Sequence, residues 1–471
     1  MNTDRKVVAL NKKKELDFTE GSPFKLILSF YWPLLLTSTL QQLYNFADTW
    51  IVGKGLGDNA LGAVGNMGSL FFLIVGFSFG LAGGFGVLIA QSYGAKNEEE
   101  LRHRYAASIE LGVVLAFVLT VFSVLFLPHA LRLLQTDERI IGDSLRYGYI
   151  VFGGLSAGIC YNITGSVLRA LGDSKTPLKA IVASSVLNVG LNSFFIFTLH
   201  MGVEGAAVAT VVSQVVSSVI CINRLSKIEA LRLGKEHFIN DSSVFLDLLK
   251  NGLPMAFMNS ITAIGCMVVQ YFINGYGVIY TAAYAACTKY LNLFMNPAAT
   301  AGNAMSAYTS QNYGAKKYNR ILDGLYVCLG IAFVSYVLLA SLMVFIPETL
   351  ARILLSGSDQ VGLVCAFLPR CGILMITLNV LFTVRSCVQG MGKPMMPMIS
   401  GIMEMILRIF VISFFIGRVG FQAAAYAEIA AWSGALLINL YAIYNSLVPL
   451  LQKDRTLDCL KNRRLKIASG K

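Results

Sequence analysis

Apolar residues run in stretches of about 20 along most of this chain, separated by short polar turns. Each stretch is long enough to cross roughly 30 Å of hydrocarbon as a helix. The pattern predicts twelve spans, at 24–49, 60–90, 105–127, 140–168, 178–199, 203–224, 246–273, 281–312, 323–346, 361–388, 396–416 and 420–447. A segment inside a bilayer must satisfy its own backbone groups, so the spans read as helices and the fold class as an all-α polytopic membrane protein. Composition agrees: 55% of residues are hydrophobic and 14% charged, well below the roughly 25% charged usage of soluble domains.

The turns repeat. Gln91-Ser92-Tyr93-Gly94-Ala95-Lys96 returns 220 residues later as Gln311-Asn312-Tyr313-Gly314-Ala315-Lys316, and the same offset carries Gly55-x-Gly57 onto Gly275-x-Gly277, Gly172 onto Gly392 and Pro177 onto Pro397. One register over that length predicts two six-helix repeats, 24–224 and 246–447, joined by a polar linker over 225–245. An even number of spans gives both copies the same orientation, so the repeats are parallel, related by an axis along the membrane normal. Pro33 and Pro254 lie at nearly equivalent places in the first span of each copy, where each removes a backbone hydrogen bond. The glycines at 76, 80, 83, 84 and 86 read as close helix packing.

The net charge of +12 would suit a nucleic-acid partner if it were clustered, but it follows the loops. Of 38 Lys and Arg, 28 lie in or at the edges of the termini and even-numbered loops, and the odd-numbered loops hold five. The positive-inside rule then places the N-terminal segment 1–23 and the basic tail 448–471 in the cytoplasm, with the protein multi-pass in the cell (plasma) membrane. No nucleic-acid partner is expected. Eight of the nine cysteines fall in spans and the four histidines are scattered, so neither a disulfide scaffold nor a transition-metal site is expected. No His–carboxylate cluster suggests an intramembrane enzyme.

Polar residues inside the spans carry the candidate chemistry. Thr37, Gln41, Tyr44, Asn45 and Asp48 share one face of the first helix. A carboxylate there is costly when charged, and a proton or cation relieves the cost. The fifth span presents Asn188 and Asn192 on one face, able to coordinate a cation, fix a carboxylate or glue helices together. Thr210 in the sixth span adds a hydroxyl. The second repeat carries Lys289, Arg385, Glu404, Arg408 and Glu428, either a structural ion network or a substrate-contacting set. Position for position, Asp48 meets Val268 and Asn188 meets Arg408.

Four stretches together resemble the MATE (multidrug and toxic compound extrusion) transporters, a family within a group that also holds lipid-oligosaccharide flippases. They are 47–53 (Ala-Asp-Thr-Trp-Ile-Val-Gly), 91–96, 168–177 (Leu-Arg-Ala-Leu-Gly-Asp-Ser-Lys-Thr-Pro) and 202–210 (Gly-Val-Glu-Gly-Ala-Ala-Val-Ala-Thr). The resemblance implies V-shaped lobes that exchange organic cations or other amphipathic compounds for H+ or Na+. In the DinF-type branch it implies a first-lobe cation site on Asp48, Asn188 and Thr210, with the branch's second carboxylate replaced here by Asn192. The acidic residues of the NorM-type branch have no counterpart at 259–262 or 377–379.

The resulting expectation is a secondary active exporter working by alternating access. It needs no cofactor, is monomeric, lies in the bilayer, and exchanges a small amphipathic substrate for H+, with Na+ as the other ion the stripe would suit. The alternative is a flippase for a lipid-linked anionic precursor, its phosphate held by Lys289, Arg385 and Arg408.

Overall fold

The computed structural model describes residues 16–133, 136–238 and 242–468. Most of the segment 1–23 lies outside these residues, as do the side chains of the basic tail from 455 onward. Nearly all of what is described is helix: α1 Pro23–Leu56, α2 Asp58–Gly94, α3 Glu98–Leu133, α4 Glu138–Gly153, α5 Leu155–Ala170, α6 Lys175–Ser193, α7 Val203–Leu225, α8 Ser242–Asn274, α9 Val278–Gly314, α10 Tyr318–Phe345, α11 Pro347–Leu354, α12 Ser358–Gly390, α13 Met395–Val419 and α14 Gln422–Ala468.

These make twelve spans. Nine of the described helices are long and apolar enough to cross a membrane, and α4 with α5, bent by 44° at Gly154, makes a tenth. The other two are α1 and α9, of 34 and 37 residues. Both carry more polar side chains than their neighbours, Gln41, Asn45 and Asp48 in α1 and Thr288, Lys289 and Asn296 in α9. Most helices overrun the apolar stretches by a few polar residues, because a helix continues into the water beyond the hydrocarbon. The last does so furthest: α14 runs past 447 to Ala468, so the described part of the tail is a helical extension.

The repeat is visible in the backbone. Helices α2 and α9 begin and end 220 residues apart, and each starts after a glycine in the left-handed region, Gly57 (φ 83°) and Gly277 (φ 101°). Lys96 and Lys316, which close the two hexapeptides, also have a positive φ, 57° and 58°. Gly172 and Gly392 share it as well, at 84° and 72°. Lipid-facing positions repeat too: Val113 and Leu125 on α3 are exposed, as are Phe333 and Phe345 on α10.

Packing cuts across the repeat boundary. The first half of α1 (Ile27, Phe30, Tyr31, Leu34) is buried with Ala301, Met305, Tyr308 and Cys328 of α9 and α10, which belong to the second repeat. Its second half packs in the first lobe, where Ile51 and Val52 join Ile159 and Val203. The first half of α8 does the converse, with Leu248 and Ala256 against Leu81, Phe85 and Ala107.

The lobes touch through their halves nearest the ends of the chain, here the terminus side. Gly80 and Gly84 of α2 lie on the backbone of α8 at Met255–Ala256 and at Gly252, and Asn259 Nδ2 donates to Gly76 O at 3.2 Å. Beyond that bond, Phe72 of α2 and Ile264 and Met267 of α8 are exposed, so the lobes part into the arms of a V. At the terminus side the ends of α2 and α9 cross each other. A Cβ on Gly94 would overlap the Gln311 carbonyl, and one on Gly314 would overlap that of Gln91. Gly314→Val should therefore cost about 1–3 kcal/mol, read as a lowered thermal midpoint in detergent. Gly330→Ala, at a helical glycine with open space around it, should leave the midpoint unchanged or slightly raised.

Candidate ion-coupling site in the first lobe

Three helices bring the predicted residues together. Asp48, on the first-lobe half of α1, is 9% exposed, while Asn188 and Asn192, one turn apart on α6, are fully buried. The Asn192 side-chain amide donates to the Asp48 carboxylate. The same Nδ2 donates to Asn188 Oδ1 at 2.8 Å, Asn188 Nδ2 donates to Thr210 Oγ1 at 3.4 Å, and Thr210 Oγ1 donates to Ala206 O at 3.0 Å on α7. The result is a buried polar chain from α1 through α6 to α7. Tyr44 of α1 joins it by converging on the Thr210 hydroxyl.

Two of the predicted residues stay apart. Gln41 and Asn45 are exposed, and their side chains make no hydrogen bond among the described residues. The stripe on α1 is wider than the buried contact: only Asp48 and Tyr44 turn toward α6 and α7. Thr37, a turn earlier, bonds back to Pro33 O at 2.7 Å.

The structure adds two features that the sequence reading missed. Tyr147 of α4 is buried and also reaches the Thr210 hydroxyl near Asp48. It lies on no polar stripe, so helical periodicity gave no sign of it. In addition, α6 widens into a π-turn over Phe194–Thr198, two residues after Asn192. Such turns are local irregularities common at functional sites.

Two chemical properties set this chain of side chains apart. Asp48 has no Lys or Arg counter-ion among the described residues, so its charge is opposed only by the Asn192 amide. Asn192 Oδ1 is buried and accepts no hydrogen bond. A carboxylate that gained a proton would become a donor beside that acceptor, and a bound cation would find an oxygen ligand there.

The second lobe holds a different arrangement. Arg385 of α12 bonds Glu404 of α13, Arg408 Nη1 reaches Glu404 Oε2 at 3.4 Å, and Arg408 Nε and Nη2 both donate to Glu428 Oε2 of α14 at 3.1 and 3.0 Å. All four side chains are buried. Two cations and two anions alternate, so the network is internally neutral. Lys289, expected with this set, does not join it. It is exposed on α9, whose buried face is filled by Tyr284, Cys287 and Leu291. A long, flexible lysine stem keeps its ammonium hydrated more cheaply than burial would.

Known proteins resemble the chain along most of its length. The MatE family model matches it twice, over residues 33–194 and 254–414, one match per repeat. The "Probable multidrug resistance protein YoeA" of Bacillus subtilis is 29% identical over 363 residues, covering 75% of this chain and 77% of that one. The "Probable multidrug resistance protein YpnP" of the same organism is 30% identical over 311 residues, covering 65% and 69%. Among solved structures, a MOP superfamily transporter from Pyrococcus furiosus superposes with a TM-score of 0.87 at 22% identity, covering 93% of this chain and 99% of that one. A structure described as the outward-facing conformation of a multidrug resistance MATE family transporter gives a TM-score of 0.86 at 21% identity, with 93% and 99% covered. Two copies of the family unit, on a twelve-span fold shared with solved transporters, make this chain a member of the MatE family: a multi-pass membrane transporter and not an enzyme.

Proposed function

We propose that the protein is a secondary active exporter of amphipathic organic compounds, coupled to H+ through Asp48. The observation that carries this reading is the buried Asp48 carboxylate, hydrogen-bonded to Asn192 and without a counter-ion among the described residues. An ionised group so placed is expensive in a membrane interior. The site therefore favours whatever neutralises it. A proton binds the Asp48 carboxylate itself, and the hydroxyl it makes needs one acceptor, a role open to the unpartnered Asn192 Oδ1. Na+ wants several oxygens at once, and Asn188 Oδ1 and Thr210 Oγ1 are already engaged in the polar chain, so H+ is the better fit.

Neutralisation then acts on the helix that joins the lobes. Asp48 sits on the first-lobe half of α1, and the other half of that helix packs in the second lobe. A change of charge at Asp48 is thus linked to the angle between the lobes, where an amphipathic substrate would lie. The V opens away from the termini. With the termini cytoplasmic, as the charge distribution favours, the cleft faces outward, the state in which substrate leaves and the ion enters. The multidrug-resistance names of the relatives point the same way.

The flippase reading is weaker. It needs cations free to hold phosphate, and Arg385 and Arg408 are neutralised by Glu404 and Glu428. The test is uptake into proteoliposomes with pH and Na+ gradients imposed independently. A pH gradient alone should drive accumulation of organic cations or other amphipathic drugs. Transport driven only by Na+ would reassign the ion, and transport indifferent to both would sink the reading.

A further inference from the structure

The two glutamines of the repeated hexapeptides each reach into the other lobe. Gln311 Nε2 donates to Ala170 O at the end of α5 (2.8 Å), and Gln91 Nε2 donates to Gly390 O at the end of α12 (3.1 Å). The two acceptors are themselves 220 residues apart, so the bonds are one interaction repeated by the pseudo-twofold. The turns that made the duplication visible in the sequence are where the lobes hold each other.

A segment outside the repeat breaks that symmetry. Phe18 N–H donates to Gln311 Oε1 at 2.9 Å, and Phe18 O accepts from Asn312 Nδ2 at 3.2 Å and from Arg320 Nη2 at 2.9 Å. Arg320 Nη1 holds Gly21 O at 2.9 Å and Lys317 Nζ holds Thr19 O at 2.8 Å. The Phe18 ring is fully buried, edge-on to Phe30 with centroids 5.2 Å apart and 5.6 Å from Tyr308. These contacts are with the second lobe and the start of α1. On the first-lobe side, the Leu16 carbonyl lies where a Cβ on Gly172 would sit, and Glu20 pairs with Lys96 at 3.4 Å. The segment therefore lies across the seam, in contact with the turns of both lobes.

We propose that Leu16–Gly21 is a clasp that keeps the terminus side shut, with Gln311 as the positioning residue that ties it to both lobes at once. The inference rests on the alternating-access reading above, because only a transporter that opens this side must release it. The geometry fits a releasable lock. The clasp is held in two ways: Gly21 O and Thr19 O by Arg320 and Lys317 at the water edge, where water can replace each bond, and Phe18 by its buried ring and the buried Gln311 and Asn312 side chains, which tie it to the lobes. It also continues directly into α1, so any shift of that helix when Asp48 is neutralised pulls on the clasp through the chain itself. Asp17 adds to the hold: burial pushes its carboxyl up, but hydrogen bonds from the Thr19 hydroxyl and amide, with Lys96 and Lys317 nearby, outweigh that and keep it below the usual range, hence ionised.

The test is the distance between the lobes at the terminus side, measured by pulsed electron resonance. Spin labels go on Lys175→Cys and Met395→Cys, two exposed and pseudo-equivalent positions, in an otherwise cysteine-free chain. Gln311→Ala, which loses two buried hydrogen bonds, should raise the population with the longer separation at least about fivefold, roughly the worth of one such bond, and Phe18→Ala, which loses a buried ring, should raise it at least as much. Arg320→Gln, which removes two carbonyl contacts without opening the core, gives the same readout should Phe18→Ala fail to fold. Lys227→Ala, at an exposed residue that takes no part in the clasp bonds, should leave the distribution as it is. Unchanged distances in both Gln311→Ala and Arg320→Gln would overturn the clasp. The distances are read without transport, so a failure of coupled export in the wild-type protein would overturn the exporter reading and leave the clasp to be judged on its own.

Discussion

Asp48→Asn will lose gradient-driven export by about 10- to 100-fold in proteoliposomes at matched protein content, the range of a typical coupling free energy. The substitution keeps the size of the side chain and a carbonyl oxygen for the Asn192 amide, so the polar chain through Asn188 to Thr210 can persist. What disappears is the charge. The site is then held permanently in its neutralised form and cannot respond to a gradient. Substrate binding should survive, because no substrate contact is removed. Folding should survive too, since a buried charge without a counter-ion gives way to a neutral amide. Export at the wild-type rate by this variant would end the assignment of Asp48 as the coupling group.

Glu404→Ala should be the most damaging single change in the second-lobe network. Glu404 stands between Arg385 and Arg408, and its loss leaves Arg385 with no carboxylate among the described residues. Breaking a buried ion pair on one side costs about 3–5 kcal/mol, because an uncompensated charge remains. Removing Arg408 and Glu428 together, as Arg408→Met with Glu428→Leu, deletes one charge of each sign and leaves Arg385 paired with Glu404. That double variant should retain most of the wild-type thermal midpoint, read by size exclusion after heating in detergent. The comparison also separates two roles. If Glu404→Ala melts like the wild type but transports poorly, the network contacts substrate. If it melts early and the double variant does not, the network holds α12, α13 and α14 together.

Much of the architecture could be read from the chain because a bilayer imposes it. Length and apolarity fix a span, and a common 220-residue offset fixes the duplication. Two things escaped that reading. Helix breaks at Gly154 and after Phe345 depend on neighbours: a Cβ at Gly154 would collide with Val211 of α7, a contact no local pattern announces. The exchange of α1 and α8 between lobes was also hidden, because periodicity along a helix cannot say which partner covers which half. The candidate site was legible where helical spacing lines residues up, as with Asn188 and Asn192. It was not legible where residues meet across helices. Tyr147 reaches Thr210 from α4, and Gln41 and Asn45, in register with Asp48, stay outside the buried contact. Lys289 shows the same limit: an ion inside an apolar span is marked by sequence, but the face it takes is decided by packing.

The central claim is that a proton and the substrate compete through Asp48. Linkage makes the competition reciprocal: if protonation lowers substrate affinity, substrate binding must expel the proton. The direct measurement is proton release when a transported organic cation is added to the purified protein in weakly buffered detergent solution, followed with a pH indicator at mildly acidic pH, where Asp48 is protonated in the free protein. The account predicts about one proton released per substrate bound by the wild-type protein, and none by Asp48→Asn at equal occupancy. Release that is undiminished in Asp48→Asn, or binding by the wild-type protein without any release, would contradict it.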